Sequence, residues 1–244
     1  GLTVKKILDN PLLDFKAEFS TKTGETFENN KTAGYLDIAN FCTIKMDKHI
    51  NFKFSFHKYH NGGGHNYNDF TICDFVEVLT NLNQKFEINP FLASLHNLEF
   101  GANVTLPFKT KIFLNAIINY KGKEYKKDTF NGRGYLLRFE FDQYELKIYD
   151  KGDQYKSKYH LTENILRFEI KVIKMQFLKS KGIEINTYCS LLEPENINKL
   201  TDLLCKVFSE LLIYDNSIKL NHIKSQREKE ILLHGKNPKY WKEL

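Results

Sequence analysis

The sequence predicts an α+β fold, with a mixed or antiparallel central sheet flanked by helices and a helical segment at the C-terminal end. Short strand-like stretches follow one another across tight turns, as at Asp142-Gln143, and few helices are interleaved with them. Only 5 prolines occur in the 244 residues, and no Gly/Ser-rich linker divides the first part of the chain. We therefore expect one α+β domain over residues 1–190 and a helical appendix over residues 191–244.

The first predicted elements are strands at residues 31–46 and 50–59. The second stretch alternates polar and mostly aromatic residues, which is the period of a half-buried strand. The glycine run at residues 62–64 ends it. Residues 69–86 carry apolar side chains at helical spacing, so a helix is predicted there with Asp69 as its N-cap.

The second half continues with the same kinds of element, and its polar glycine stretch at residues 121–134 is predicted to be irregular. Alternating or short apolar runs predict strands, and amphipathic runs predict helices. The predicted strands are residues 95–106, 135–141, 144–149 and 164–173, and the predicted helices are residues 110–120, 196–213 and 217–233.

The positive charge is concentrated in one part of the chain. The sequence has 36 Lys and Arg against 30 Asp and Glu, a formal net charge of +6. Residues 121–181 contain 15 of the basic and 9 of the acidic residues, so this quarter holds the whole excess. A local anionic partner such as nucleic acid explains this clustering. A lysine-rich solvated surface is the alternative, because only 4 of the basic residues are Arg.

The sequence lacks the signals of a membrane protein, a secreted protein and a zinc ribbon. No apolar run reaches the roughly 18 residues of a membrane span, and the first residues lack the apolar stretch of a signal peptide. The four cysteines, at positions 42, 73, 189 and 205, have no zinc-ribbon spacing and are too sparse for a disulfide scaffold. We expect reduced thiols, a bacterial cytoplasmic location and no membrane partner.

Histidines surround the glycine run, but their spacing matches no standard metal-ligand set. His57, His60 and His65 flank residues 62–64. A flexible turn is the favoured interpretation. No P-loop, dinucleotide-binding motif, nucleophile elbow or zinc-protease motif occurs in the chain.

Three segments are more informative about function: residues 54–60 with 66–70, residues 95–104, and residues 144–152 with 166–172. The third segment carries a resemblance to a known family. It contains Lys147-Ile-Tyr-Asp-Lys151, followed by Leu166-Arg-Phe-Glu169. This resembles the "R-I-Y-x-K … R-x-E" pattern of the rolling-circle replication initiators of plasmids, the related conjugative relaxases and the filamentous-phage initiators, which are related in architecture to HUH endonucleases. The segments at residues 55–59 and 98–103 are similar to forms found in Bacteroidetes-type members.

The resemblance implies a metal-dependent enzyme that nicks one DNA strand and becomes linked to the 5′-phosphate through a tyrosine. Tyr149 matches the nucleophile, and Glu99 and Glu169 match the acidic residues that hold a divalent metal ion. The third acid is open between Glu140 and Asp37. Ligands that are oxygen atoms alone favour Mg²⁺ or Mn²⁺. The chain has no His-hydrophobe-His pair, in contrast to the usual HUH metal site.

Elementary chemistry suits these residue types. A phenol has a pKa near 10 and is a weak nucleophile at neutral pH unless a cation or a base assists it. Lys147 and Lys151 flank Tyr149, and they could neutralise the scissile phosphate. If residues 147–149 form a strand, Lys147 and Tyr149 share a face, because side chains at positions i and i+2 do.

DNA is the expected partner, at a replication origin and in single-stranded or cruciform form. A host helicase and a second copy of the chain are further partners under this hypothesis. Lysines interleaved with tyrosines suit single-stranded nucleic acid. The residues assigned to DNA binding are basic or lie beside the proposed site, and they are Arg133, Arg138, Lys156, Lys158, Arg167, Lys171, His57 and His96.

Each assignment has a structural alternative. Tyr149 could be a core or rim residue at a strand end. Glu169 could form an ion pair with Arg167 or Lys171, because a buried carboxylate needs a partner. The whole chain could be a non-catalytic DNA-binding accessory protein with the same fold, or an interaction protein whose lysines are only solvated.

Overall fold

A computed structural model describes residues 9–19, 21–24, 26–33, 42–45, 49–130, 133–215 and 217–242. The chain falls into two units, which are described separately. The first comprises residues 1–94 and 186–192, and the second comprises residues 95–185 and 193–244. No helix in these ranges is long and apolar enough to span a membrane.

The first unit contains a four-stranded antiparallel sheet. Its strands are β1 (Leu13–Phe19), β2 (Thr26–Ala33), β3 (Cys42–Lys45) and β4 (His49–Phe52). They pair in chain order, β1 with β2, β2 with β3 and β3 with β4. Residues 34–41, which include Asp37 and part of the predicted strand 31–46, lie outside the described residues.

Two helices follow, of which the first was not predicted and the second begins later than predicted. The predicted strand 50–59 ends at Phe52, and helix α1 (Phe56–His60) takes its place, because the Ser55 side chain accepts a hydrogen bond from the backbone N–H of Lys58 at 3.3 Å. Helix α2 (Ile72–Phe86) is capped by Thr71, not by Asp69. Thr71 and Asp74 form a reciprocal capping box, which a start at residue 69 would lack.

The second unit contains a five-stranded sheet with the order β5-β10-β9-β8-β7, in which every neighbouring pair is antiparallel. The predicted α+β class is confirmed, and of the two sheet types considered this sheet is antiparallel. The elements in chain order are β5 (Leu98–Thr105), α3 (Thr110–Ala116), β6 (Ile117–Tyr120), β7 (Lys126–Phe130), β8 (Arg133–Glu140), β9 (Tyr144–Asp150), α4 (Lys151–Tyr159), β10 (Ile165–Val172), α5 (Gln176–Lys179), α6 (Pro194–Ser209), β11 (Leu211–Ile213) and α7 (Gln226–His234).

The two faces of this sheet differ in chemistry. One face is apolar, and helices α3 and α6 lie against it. The Phe168 ring on β10 and the Phe208 ring on α6 are 5.1 Å apart in a T-shaped pair. Its central side chains are at most 3% exposed, and they are Leu137, Phe139, Leu146, Ile148, Phe168 and Ile170. Because side chains alternate along a strand, the residues between them project from the other face, which is charged.

The C-terminal segment belongs to the same unit as the five-stranded sheet. Predicted helices 110–120 and 196–213 each end early, and their last residues form β6 and β11, which pair with Leu211 opposite Tyr120. Periodicity cannot distinguish such short apolar runs from the ends of helices. The bounds of this unit therefore differ from the division at residue 190 that the sequence suggested.

Three further elements differ from the sequence prediction. The stretch 121–134, which was predicted to be irregular, contains β7, an edge strand of the sheet. Helix α4 was not predicted, and the Asp150 side chain caps it by accepting from the backbone N–H of Asp153 at 2.9 Å. The predicted helix 217–233 is reduced to α7, where the Ser225 side chain is the N-cap.

Candidate functional site

The register of three strands gathers the predicted site residues on the charged face. In the β9–β10 pair, Lys147 lies opposite Glu169 and Tyr149 lies opposite Arg167. Directly opposed residues of an antiparallel pair project from the same face. All four side chains therefore lie together on one face of the sheet.

Glu169 is the centre of this group. The residue is only 3% exposed, and its Oε1 accepts a hydrogen bond from Lys147 Nζ at 3.1 Å. Its Oε2 accepts from Arg167 Nε at 3.0 Å and from the Tyr149 hydroxyl at 3.2 Å. Burial raises the pKa of Glu169, but the charges of Arg167 and Lys147 outweigh it and hold the pKa below its usual value. The carboxylate is therefore ionised at neutral pH.

Lys147 joins the two predicted metal ligands. Its Nζ lies 2.7 Å from Glu99 Oε2 and 3.1 Å from Glu169 Oε1, and its side chain is 15% exposed. Burial lowers the pKa of Lys147, but the two carboxylates outweigh that effect and raise it. Burial and the nearby Glu169 charge raise the pKa of Glu99, and Lys147 opposes that shift. The lysine thus acts as the shared counter-ion of both acids.

The Tyr149 hydroxyl lies between the side chains of Glu169 and Lys151. It donates to Glu169 and accepts from Lys151 Nζ, both at 3.2 Å. Lys151 is 1% exposed, and its Nζ is 5.2 Å from the ring centroids of Tyr149 and Tyr155. Burial raises the pKa of Tyr149, and the Glu169 charge raises it further. The phenol is therefore protonated at neutral pH, and its proton points to a carboxylate.

Arg167 is fixed by contacts on β5 that the sequence analysis did not identify. Its Nη1 donates to the backbone oxygen of Gly101 at 3.1 Å and to Asn103 Oδ1 at 3.3 Å. A Cβ at position 101 would lie 2.6 Å from the Cα and Cβ of Glu169, so only glycine fits there. The signal for Asn103 was a polar residue between Ala102 and Val104 in a predicted strand.

Glu140 does not join the site. Its side chain forms an ion pair with Lys126, and that hydrogen bond lowers the pKa of Glu140. The other candidate for a third acid, Asp37, lies outside the described residues. The structure therefore brings two of the predicted metal ligands, Glu99 and Glu169, to one place and leaves Glu140 elsewhere on the sheet.

These residues do not fit a divalent metal ion in the arrangement described. Lys147 contacts both carboxylates, and Arg167 contacts Glu169 as well, so two cations already balance two acids. Within the described ranges, no three His, Cys, Asp or Glu side chains are grouped so as to hold a metal ion. A metal ion would have to displace Lys147, and metal dependence stays a prediction from the resemblance.

Two of the predicted DNA-binding residues on this face are engaged in ion pairs. Arg138 Nη2 lies 3.0 Å from Asp128 Oδ2, and Lys171 Nζ lies 3.5 Å from Glu145 Oε2. Arg167, a third candidate, belongs to the site itself. A phosphate would compete with these carboxylates, so Arg138 and Lys171 are weaker candidates than their charge suggested.

Helix α4 presents two other candidates to solvent. Lys156 and Lys158 are exposed near its C-terminal end. Lys158 Nζ lies 5.2 Å from the ring centroid of Tyr159. Because α4 begins two residues after Tyr149, these lysines are near the site in sequence and belong to the same unit.

Three predicted DNA-binding residues remain, namely His57, His96 and Arg133. His57 belongs to the first unit, where its ring stacks on Phe70 at 4.8 Å and its Nε2 lies 2.9 Å from Asn68 Oδ1. His96 belongs to the second unit and is exposed. The backbone of Arg133 begins β8, but its side chain lies outside the described part of the chain.

Comparison of the chain with protein-family models, with curated proteins and with solved structures gives no match. The resemblance to rolling-circle initiators therefore depends on the short motifs around Tyr149 and Glu169 and on the side chains that they bring together.

Replacing Lys147 by methionine is expected to increase the affinity of the site for Mn²⁺ by at least about tenfold. The change removes a cation from between two acids, and a unit charge about 4 Å away is worth about 4 kcal/mol at an effective dielectric constant of 20. Isothermal titration calorimetry with Mn²⁺ measures the affinity. Lys171→Met, which removes a cation from Glu145 on the same face, is the control. Equal affinity of the wild-type protein and Lys147→Met would contradict this expectation.

Proposed function

We propose that the chain is a site-specific DNA-nicking enzyme that initiates rolling-circle replication or mobilisation of a bacterial plasmid or phage, with Tyr149 as its nucleophile. The observation that supports this most directly is the position of the Tyr149 hydroxyl, in hydrogen-bond contact with the Glu169 carboxylate and with Lys151 Nζ. A weak hydroxyl nucleophile needs an adjacent base, and a nearby cation assists it.

In the proposed step, Tyr149 Oη attacks the phosphorus of the scissile phosphodiester. The bond from phosphorus to Oη forms as the bond from phosphorus to the 3′ oxygen breaks. The phenol proton passes to Glu169, and the leaving oxygen takes a proton from solvent. The products are a 5′-phosphotyrosine and a free 3′-hydroxyl, and the reverse reaction rejoins the strand.

The cations have distinct roles in this proposal. Lys151 remains beside Oη and stabilises the negative charge that develops there as the proton leaves. Lys147 and Arg167 hold the Glu169 carboxylate in a fixed orientation toward the phenol. These two residues are therefore positioning residues.

A non-catalytic DNA-binding protein with the same fold is the second candidate, and two observations favour it. Tyr149 is 4% exposed, so a phosphate reaches its hydroxyl only after side chains move. Lys147 occupies the place between the carboxylates where the resemblance expects a metal ion. In this alternative the network stabilises the sheet, and DNA binds to other surfaces.

The decisive experiment compares the wild-type protein with Tyr149→Phe. The substrate is supercoiled plasmid carrying the DNA that flanks this gene, incubated with Mg²⁺, with Mn²⁺ and with a chelator. We expect the wild-type protein to give open circles and a protein–DNA adduct that survives denaturation. Tyr149→Phe should lower the nicking rate by a factor of at least about 1,000.

Tyr159→Phe, a half-buried tyrosine at the end of α4, is the matched control and should nick like the wild-type protein. Nicking by Tyr149→Phe at the wild-type rate would exclude Tyr149 as the nucleophile. Absence of nicking by the wild-type protein under all three conditions, together with DNA binding that is indifferent to Tyr149, would favour the second candidate.

A further inference from the structure

Three side chains in or next to strands β7 and β8, together with one on helix α3, form a group that the candidate site does not include. They are Lys111, Tyr125, Lys127 and Tyr135, and we name them the Lys–Tyr cluster. Lys127 Nζ lies 5.4 Å from the Tyr135 ring centroid and 5.8 Å from that of Tyr125. Lys111 Nζ lies 5.9 Å from the Tyr135 ring centroid. Each ring is therefore within reach of an ammonium group.

Tyr135 and Lys127 of the Lys–Tyr cluster lie on the opposite face of the sheet from Tyr149. Leu136 is opposite Tyr149 in the β8–β9 pair and shares its face, so the adjacent Tyr135 projects from the other face. Lys127 is opposite Leu137 in the β7–β8 pair, which places it on the same face as Tyr135. The cluster is thus a surface separate from the candidate site, beside the edge strand β7.

The two lysines of the Lys–Tyr cluster differ from the adjacent Lys126 in that Lys126 forms an ion pair. In the part of the chain that the structure describes, neither Lys111 nor Lys127 forms an ion pair with a carboxylate, and both side chains are exposed. Lys126, the next residue along β7, is paired with Glu140 on the other face. Lys111 and Lys127 therefore offer positive charge that no carboxylate of the described residues balances, beside two half-buried tyrosine rings.

We propose that the Lys–Tyr cluster binds a single strand of nucleic acid, with bases stacked on Tyr125 and Tyr135 and phosphates paired with Lys111 and Lys127. Lysine next to an accessible aromatic ring matches the repeating unit of a single strand, in which a base adjoins a phosphate. In a duplex the bases are already stacked on one another, so the rings have no free base face to contact. The inference does not depend on nicking.

The test is fluorescence anisotropy with labelled dT12, U12 and a 12-base-pair duplex, over a series of salt concentrations. Lys127→Gln should lower the slope of log affinity against log salt for a single strand by about 0.7, the value for one lost phosphate contact. Tyr135→Leu, which keeps the apolar bulk, should weaken binding by about 5- to 100-fold with little change in that slope.

Lys126→Gln removes the same charge from the adjacent position on the other face, and it should leave the slope at the wild-type value. Far-UV circular dichroism shows whether each variant is folded. Equal effects of Lys126→Gln and Lys127→Gln, wild-type affinity in Tyr135→Leu, or a preference for the duplex would each overturn the proposal. Preference for dT12 over U12, or the reverse, supports it and identifies the strand as DNA or RNA.

Discussion

The free energy of unfolding of the Glu169→Ala variant is expected to be about 3–5 kcal/mol lower than that of the wild-type protein. Glu169 is 3% exposed and accepts hydrogen bonds from Lys147, Arg167 and Tyr149. Removing the carboxylate leaves two cations in a largely buried position without their shared partner. Urea unfolding followed by circular dichroism measures the change.

Glu140→Ala is the matched control for this prediction. It removes a glutamate from the same sheet, but one whose ion pair with Lys126 is exposed to solvent, and such pairs contribute little. We expect stability close to that of the wild-type protein. If both variants lost the same stability, Glu169 would not be the centre of the network.

The pH dependence gives the Glu169 prediction a second measurement. The pKa of Glu169 is lower in the folded protein than its usual value of 4.5. A depressed pKa contributes stability that is fully present above the unfolded value and is lost as the pH falls through the folded value. The stability difference between the wild-type protein and Glu169→Gln should therefore shrink as the pH falls below about 4.5. A difference that stays constant from neutral to acid pH would argue against an ionised Glu169.

The Gly101→Ala variant is expected to lose about 1–3 kcal/mol of stability or more. A Cβ at this position would lie 2.6 Å from the Cα of Glu169, and it would also collide with the backbone oxygen of Phe168. These atoms belong to the neighbouring strand, so the two strands must separate to make room. The separation would also move the Gly101 oxygen that Arg167 contacts.

Thermal and urea unfolding of Gly101→Ala measure this cost. Thr105→Ala, at an exposed position of the same strand, is the control, and it should change the stability by no more than about 0.5 kcal/mol. A Gly101→Ala variant as stable as the control would show that β5 and β10 can shift without loss.

The strands that carry the site were predictable because their patterns are regular. Residues 144–149 and 164–173 matched β9 and β10 within one or two residues, and the same-face placement of Lys147 and Tyr149 followed from strand geometry. The sequence also offered Arg167 as an ion-pair partner of Glu169, and that contact is present at 3.0 Å.

The contacts between strands were not predictable in the same way. Lys147 pairs with Glu169 only because of the β9–β10 register, which pattern alone does not fix. The role of Asn103 depends on the register of β5 with β10 in the same manner. From the sequence, Lys147 is expected to neutralise the scissile phosphate, whereas in the structure it is the counter-ion of two acids.

The pairing of β6 with β11 bears on the order in which the protein is made and folded. Tyr120 at the end of β6 is fully buried, and its hydroxyl reaches Tyr144 at 3.2 Å and Glu210 at 3.3 Å. During synthesis, β6 leaves the ribosome long before residues 210–213. The second unit therefore completes its folding only after most of this chain has been translated. Until then, the partners of Tyr120 on β11 and at Glu210 are missing.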